Sequence, residues 1–238
     1  MQQYVDIHHH FLYQVDDGPQ TQEEMMRMLD AAAAEGIGCM AATPHIHPGM
    51  AAFDWAQYQR SFHKAQQYVQ QAGLPLLLLP GAEIYYTTMT PAMLYRNEIP
   101  RLGNGHYVLV EFHPHVSLDG ICRAAVHIAN TGSTMVLAHG ERYRCLRFGD
   151  GMNHLRQNHR ILIQVNAETL LNPGNFLMRK WVSRAMANEW IDVVASDAHD
   201  TRHRPCLMGQ CAAYLEKNWG RETAERLCCL APKKILQG

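Results

Sequence analysis

Short apolar runs alternate along the chain with longer stretches whose apolar residues recur at helical spacing. The runs are Tyr4–Ile7, Gly38–Ala42, Leu76–Pro80, Tyr107–Phe112, Met135–Ala138, Ile161–Val165 and Asp192–Ala195. Val108-Leu109-Val110 shows their character. It is continuously hydrophobic, as a parallel strand covered on both faces should be. The stretches between the runs read as helices. Met25, Met28, Leu29 and Ala32 make one apolar stripe. Thr21 precedes the stripe as an N-cap, Glu24 completes a capping box, and Gly36 is a stop. Further helices are expected over Asp54–Ala72, Asp119–Thr131, Asp150–Asn158, Asn175–Asn188 and Cys206–Asn218, with a last one from Arg221.

Strands and helices alternating in this order imply an α/β fold with a parallel sheet. No Pro-, Gly- or Ser-rich linker interrupts the units. One domain over residues 1–238, an irregular seven-stranded (β/α) TIM-like barrel, fits better than two doubly wound halves. At 238 residues and 47% hydrophobic content, the chain can bury a substantial core.

Charge and cysteine usage narrow the function. A formal net charge of -1 without a basic block argues against nucleic acid as the partner. The seven cysteines are scattered and form no CxxC pair, which suits a reducing, cytoplasmic setting. The N-terminus lacks a signal-peptide pattern, and the longest apolar runs, such as Leu74–Leu79, are too short to cross a bilayer. No membrane insertion is expected.

The 15 histidines are the compositional anomaly, and their placement matters more than their number. His8 and His10 follow the first strand and share a face, because side chains alternate along a strand; His9 points the other way. His45 follows the second strand, Glu83 the third, Glu111 ends the fourth and His139 follows the fifth. Asp197 and His199 follow the seventh, and Asp17 lies in the loop after the first. The sixth ends in Asn166, which can hydrogen-bond but is not taken as a ligand. In a βα barrel these strand ends form one rim, where active sites are built. Any one of these residues alone reads as a loop or capping residue. Six of seven strand ends carrying a ligand-type residue points to a shared metal centre. Nine imidazole and carboxylate ligands are too many for one ion and suit two or three, with manganese, iron and zinc all compatible. His47, His63, His106, His127, His154 and His159 lack that placement and read as structural or solvated. The positions of His113 and His115 near the rim leave their roles open.

These residues carry a resemblance. Asp6-Ile7-His8-His9-His10, Thr43-Pro44-His45 and Ser196-Asp197-Ala198-His199 resemble the PHP (polymerase and histidinol phosphatase) superfamily of metal-dependent phosphoesterases. Val15-Asp16-Asp17-Gly18-Pro19, Gly81-Ala82-Glu83-Ile84-Tyr85-Tyr86, Val110-Glu111-Phe112 and Ala138-His139-Gly140-Glu141-Arg142-Tyr143 narrow the likeness. They are similar to bacterial protein-tyrosine phosphatases of capsule and exopolysaccharide loci. His9 departs from the pattern, where a small polar residue is usual, and His113-Pro114-His115 is also unusual.

The resemblance implies a distorted (β/α)7 barrel with a metal centre of up to three divalent ions, commonly manganese or iron. One ion would take His8, His10, Glu83 and Asp197; a second would share Glu83 and add Glu111 and His139; a third would take Asp17, His45 and His199. Arg142 and Arg204 would bind phosphate. The implied reaction is phosphoric monoester hydrolysis of phosphotyrosine, with a metal-bridging hydroxide attacking in line. The expected substrate is an autophosphorylating bacterial tyrosine kinase that regulates capsule synthesis. A histidinol-phosphate or other small-molecule phosphomonoesterase is the alternative. Less favoured readings are a nuclease and a metal-binding sensor without catalysis. A cysteine-based tyrosine phosphatase is excluded, because no cysteine has an arginine six residues on. Tyr85 and Tyr86 either line the mouth of the site or pack in the barrel wall.

Overall fold

A computed structural model describes residues 3–158 and 161–237; His159 lies outside them. The strands are β1 (Tyr4–His9), β2 (Ile37–Ala42), β3 (His45–Ile46), β4 (Leu77–Pro80), β5 (Glu83–Tyr85), β6 (Tyr107–Glu111), β7 (Thr134–Leu137), β8 (Leu162–Asn166) and β9 (Val193–Ala195). Helix α1 spans Gln22–Ala34, α2 Trp55–Ala72, α3 Thr90–Tyr95, α4 Leu118–Ala129, α5 Arg144–Arg147 and α6 Gly151–Asn158. They are followed by α7 (Ala167–Leu171), α8 (Phe176–Ala187), α9 (Met208–Trp219), α10 (Arg221–Glu225) and α11 (Ala231–Gln237).

The result is an α/β domain with a curled parallel sheet. Strand order is β1-β2-β4 in one part and β3-β5-β6-β7-β8-β9 in the other, with every named pairing parallel. A parallel bridge between His9 and Ala198 joins the first strand to the segment after the last. The His10 amide donates to the Ala198 carbonyl at 2.9 Å, and the Asp197 amide to the His8 carbonyl at 2.9 Å.

Two expected strands are each followed by a short second segment, after breaks at Thr43-Pro44 and at Gly81-Ala82. Proline cannot donate to a ladder, and glycine yields readily to a bend. The shifted second segments, β3 and β5, pair with His45 opposite Glu83. The breaks therefore aim two candidate ligands at one another.

Helix α1 forms as the capping signals predict. Thr21 Oγ1 accepts from the Glu24 amide at 3.2 Å, and Glu24 Oε2 accepts from the Thr21 amide at 3.2 Å. Its buried face is Met25, Met28, Leu29 and Ala32. The first strand runs two residues past the expected Ile7, carried by the bridge at His9. Helix α9 starts at Met208, not Cys206. The last helix is interrupted by a π-turn over Arg226–Leu230. Helices α3, α5 and α7 were not expected; none exceeds six residues, too short for periodicity to show. No helix among the described residues is long and apolar enough to cross a membrane.

Candidate metal centre

The candidate ligands come together from the ends of β1 and β6, from the first residues of β3 and β5, and from the segments after β1, β7 and β9. Glu83, buried in the middle, is their meeting point. Its Oε2 lies 3.1 Å from His8 Nε2, 3.3 Å from His10 Nε2 and 3.1 Å from His45 Nδ1. Its Oε1 lies 2.8 Å from His139 Nε2. Asp197 Oδ1 lies 3.3 Å from His8 Nε2 and 3.7 Å from His10 Nε2. Glu111 approaches His45 at 3.2 Å and His139 at 3.8 Å. Asp17 reaches His199 at 3.2 Å and His45 at 3.5 Å.

Three sets have ligand atoms within 4.8 Å of one another: His8, His10, Glu83 and Asp197; Glu83, Glu111 and His139; and His10, Asp17, His45 and His199. They reproduce the grouping implied by the resemblance, with His10 added to the third. His47, expected to be structural or solvated, forms a further set with His45 and Glu111. Its ring stacks on Tyr85, with centroids 5.4 Å apart. Tyr85 thus stands at the rim. Tyr86 turns to the wall, packing on Phe112 and bonding His127 Nδ1 through its hydroxyl at 3.0 Å.

The donor chemistry fits divalent metal ions. His8 Nε2 and His10 Nε2 face each other at 3.1 Å, so at most one can carry a proton between them. The other ring nitrogen of each is anchored outside the cluster: His8 Nδ1 by Gln164 Oε1 at 3.1 Å, His10 Nδ1 by Asp16 Oδ2 at 2.6 Å. His199 Nδ1 is held likewise by the Asp197 carbonyl at 3.0 Å. Pinning the proton on one nitrogen leaves the other with a lone pair aimed inward, the usual arrangement of a metal-binding imidazole. Despite their close approaches, buried Glu83 Oε2, His45 Nδ1 and His199 Nε2 make no well-aligned hydrogen bond, and neither does His139 Nδ1. Buried polar atoms are seldom left unpaired.

The field asks for cations as well. Burial pushes the His10 imidazole down, yet Asp16 and Glu83 hold it up at about 10. Burial pushes the Glu83 carboxyl up, yet His8, His10 and His139 draw it well below the usual carboxylate range. His9, on the other side of the strand, falls to about 3 through burial and the repulsion of His10, His199 and His8.

Gln164 and Asp16 support the cluster without having been expected to, whereas Asn166 hydrogen-bonds in it as its strand-end position predicts. Gln164 Oε1 accepts from the His139 amide at 2.8 Å as well as facing His8. Gln164 Nε2 donates to Asn166 Oδ1 at 2.8 Å, and Asn166 Nδ2 donates to Asp197 Oδ2 at 2.7 Å. Asp16 also accepts from the His45 and Gly18 amides. The doubled aspartate before Gly18 was the available signal for Asp16. Nothing in the sequence marked Gln164, which looks like any polar residue within an apolar strand. His139 and Asp197 hold φ of 35° and 54°. Such values are uncommon outside glycine and mark backbone held by its surroundings.

Arg142 Nη2 lies 2.8 Å from Asp197 Oδ2, and Arg204 Nη2 lies 3.0 Å from Asp197 Oδ1. Both guanidiniums are partly exposed, 45% and 36%, and can meet a ligand from solvent. Beside Asp17 and His199 opens a cavity of about 420 Å³ bordered by Arg27, Arg202 and His203. His113 and His115 are exposed.

Gly18 is sterically required. A Cβ there would stand 2.3 Å from the His10 carbonyl oxygen, a backbone atom that cannot swing away. We expect Gly18→Ala to cost about 1–3 kcal/mol by overpacking. It should also weaken metal binding through Asp17; urea unfolding and metal titration check both effects.

Comparison with known proteins places this arrangement. The chain is 30% identical to tyrosine-protein phosphatase CpsB of Streptococcus pneumoniae over 98% of both sequences. It is 27% identical to tyrosine-protein phosphatase YwqE of Bacillus subtilis, covering 92% of this chain and 86% of that one. A crystal structure from work on YwqE and S. pneumoniae CpsB, described as unique metal-dependent tyrosine phosphatases, superposes with a TM-score of 0.88 at 26% identity, covering 98% and 94%. Histidinol phosphate phosphatase from Lactococcus lactis shares the fold, with a TM-score of 0.57 at 14% identity over 91% and 94%. The profile of the capsular polysaccharide synthesis family CpsB/CapC matches residues 4–237, and the chain belongs to that family.

Proposed function

We propose that this protein is a metal-dependent protein-tyrosine phosphatase of capsule or exopolysaccharide synthesis. The observation that carries the reading is the convergence of four imidazoles on the buried Glu83 carboxylate, with Asp197, Glu111 and Asp17 around them. Full-length likeness to named tyrosine phosphatases supplies the substrate class. In this reading the catalytic domain covers residues 1–238 as a distorted (β/α)7 barrel. β2 with β3 and β4 with β5 each count as one broken strand, and the His9–Ala198 bridge closes the ring.

His8, His10, Glu83 and Asp197 would hold one ion, Glu83, Glu111 and His139 a second, and Asp17, His45 and His199 a third. Manganese is the preferred ion; iron and zinc fit the same donors. Divalent ions there would supply Lewis acidity and acidify water near neutral pH. The protein's own part is positioning. Gln164, Asp16 and the Asp197 carbonyl fix imidazole tautomers. Arg142 and Arg204 each present a planar fork to phosphate oxygens. The charge that Asp197 now shares with them would pass to metal, freeing both guanidiniums for substrate. A phenol has a pKa of about 10, so tyrosine leaves more readily than an alkanol and needs less acid assistance. The proposed substrate is a phosphotyrosine protein in the cytoplasm, an autophosphorylating kinase of polysaccharide export.

Turnover of phosphotyrosine peptide, phosphoserine peptide and histidinol phosphate by manganese-loaded protein tests the substrate class. Phosphotyrosine should be fastest; a faster histidinol phosphate rate would establish the small-molecule alternative. Arg142→Ala and Arg204→Ala should each lower kcat/KM on the phosphotyrosine peptide by about 10²-fold, the scale of losing one charge-stabilising donor. Unchanged kinetics would return both arginines to surface ion pairing.

A further inference from the structure

The first strand carries a second cluster on the side away from the rim. Asp6, His9 and Cys206 each offer a ligand atom within 4.8 Å of the other two. Asp6 and His9 are completely buried, and Cys206 is 6% exposed. A register irregularity between Asp6 and His9 breaks the strict alternation of β1 and lets both serve one site.

Three polar atoms there are unsatisfied, while the Cys206 thiol is met by the Ser196 side chain and the Met208 backbone. Both ring nitrogens of His9 lack a hydrogen-bond partner, and so does Asp6 Oδ2. Asp6 Oδ1 is already used, accepting from the His8 amide at 3.2 Å and the Ser196 amide at 3.1 Å. Its position is therefore fixed with the second oxygen left over. Cys206 is a free thiol. A buried imidazole with neither nitrogen paired, beside a carboxylate oxygen and a thiol, is incompletely satisfied by protein alone.

We infer that Asp6, His9 and Cys206 form a buried three-ligand zinc site, distinct from the rim centre. The donor set decides the ion. Thiolate with imidazole and carboxylate suits zinc, whereas the rim offers only nitrogen and oxygen. Binding would release the Cys206 thiol proton to solvent; thiolate and carboxylate would then balance the two positive charges of the ion. Its role follows from connectivity. Cys206 stands two residues after Arg204 in the segment between β9 and α9, and Asp6 and His9 lie on β1. An ion there ties the arginine-bearing segment to the first strand. None of this depends on what the rim hydrolyses.

Cobalt(II) saturation of metal-stripped full-length protein tests the site. Wild type should show a near-ultraviolet thiolate-to-cobalt charge-transfer band, which nitrogen and oxygen ligands cannot give. Cys206→Ser and His9→Ser should each lose the band and one equivalent of metal while the rim still binds. X-ray absorption of the zinc-loaded wild type needs no variant and should show a sulfur scatterer at one zinc. A sulfur-free wild-type spectrum, or a band that survives Cys206→Ser, would overturn the inference.

Discussion

Replacing Glu83 by glutamine is expected to abolish phosphotyrosine hydrolysis while leaving the fold intact. Glu83 contacts His8, His10, His45 and His139 and belongs to two of the three rim sets. Glutamine keeps the shape but removes the charge, and it turns an amide donor toward ring nitrogens. Two ions would lose a shared ligand at once. Metal stabilisation of transition-state charge is worth several kcal/mol. At 1.36 kcal/mol per decade, a drop of at least about 10³-fold follows. Metal content should fall with it, and far-ultraviolet circular dichroism should match wild type. A variant retaining full turnover would reduce Glu83 to an ion-pair partner of buried histidines.

The rim was legible in sequence because it depends on strand ends. An apolar run followed by His45, Glu83, Glu111 or His139 places each residue by topology, without knowledge of packing. Supporting groups were less legible because their roles depend on three-dimensional register. Gln164 meets His8 and the His139 amide only because β8 lies beside β7. His47 reads as structural or solvated because it lacks a place at an expected strand end. It lies just past the two-residue β3, with a ring nitrogen within 4.8 Å of ligand atoms of His45 and Glu111. The breaks at Pro44 and Gly81 illustrate the same limit. Each residue signals a bend, but only the pairing of β3 with β5 shows that the bend sets His45 against Glu83. Tyr85 and Tyr86, adjacent in sequence, could not be assigned separately until the structure sent one to the rim and one to the wall.

Stripping metal with a chelator is expected to have the largest effect of all. Every rim ligand would lose its ion together, and no cysteine nucleophile stands by to replace the chemistry. The stripped protein should also unfold more easily. Glu83 and Asp197 are almost fully buried, and buried carboxylates are costly unless compensated by paired charge. Any ion that binds the folded protein and not the unfolded chain stabilises it by mass action, about 2.7 kcal/mol at a hundredfold excess over Kd. Thermal melts of loaded and stripped protein should therefore separate, and the separation should grow with manganese concentration. Coincident melts would mean that the imidazole–carboxylate network satisfies itself without ions.

As proposed, the rim would work as a metal-dependent phosphotyrosine hydrolase. The most direct test is a manganese titration of metal-stripped protein with phosphotyrosine-peptide turnover as the readout. Turnover should be negligible at the start and recover with bound manganese until the rim is filled. Full turnover by the stripped protein, or none at any manganese loading, would contradict the proposal.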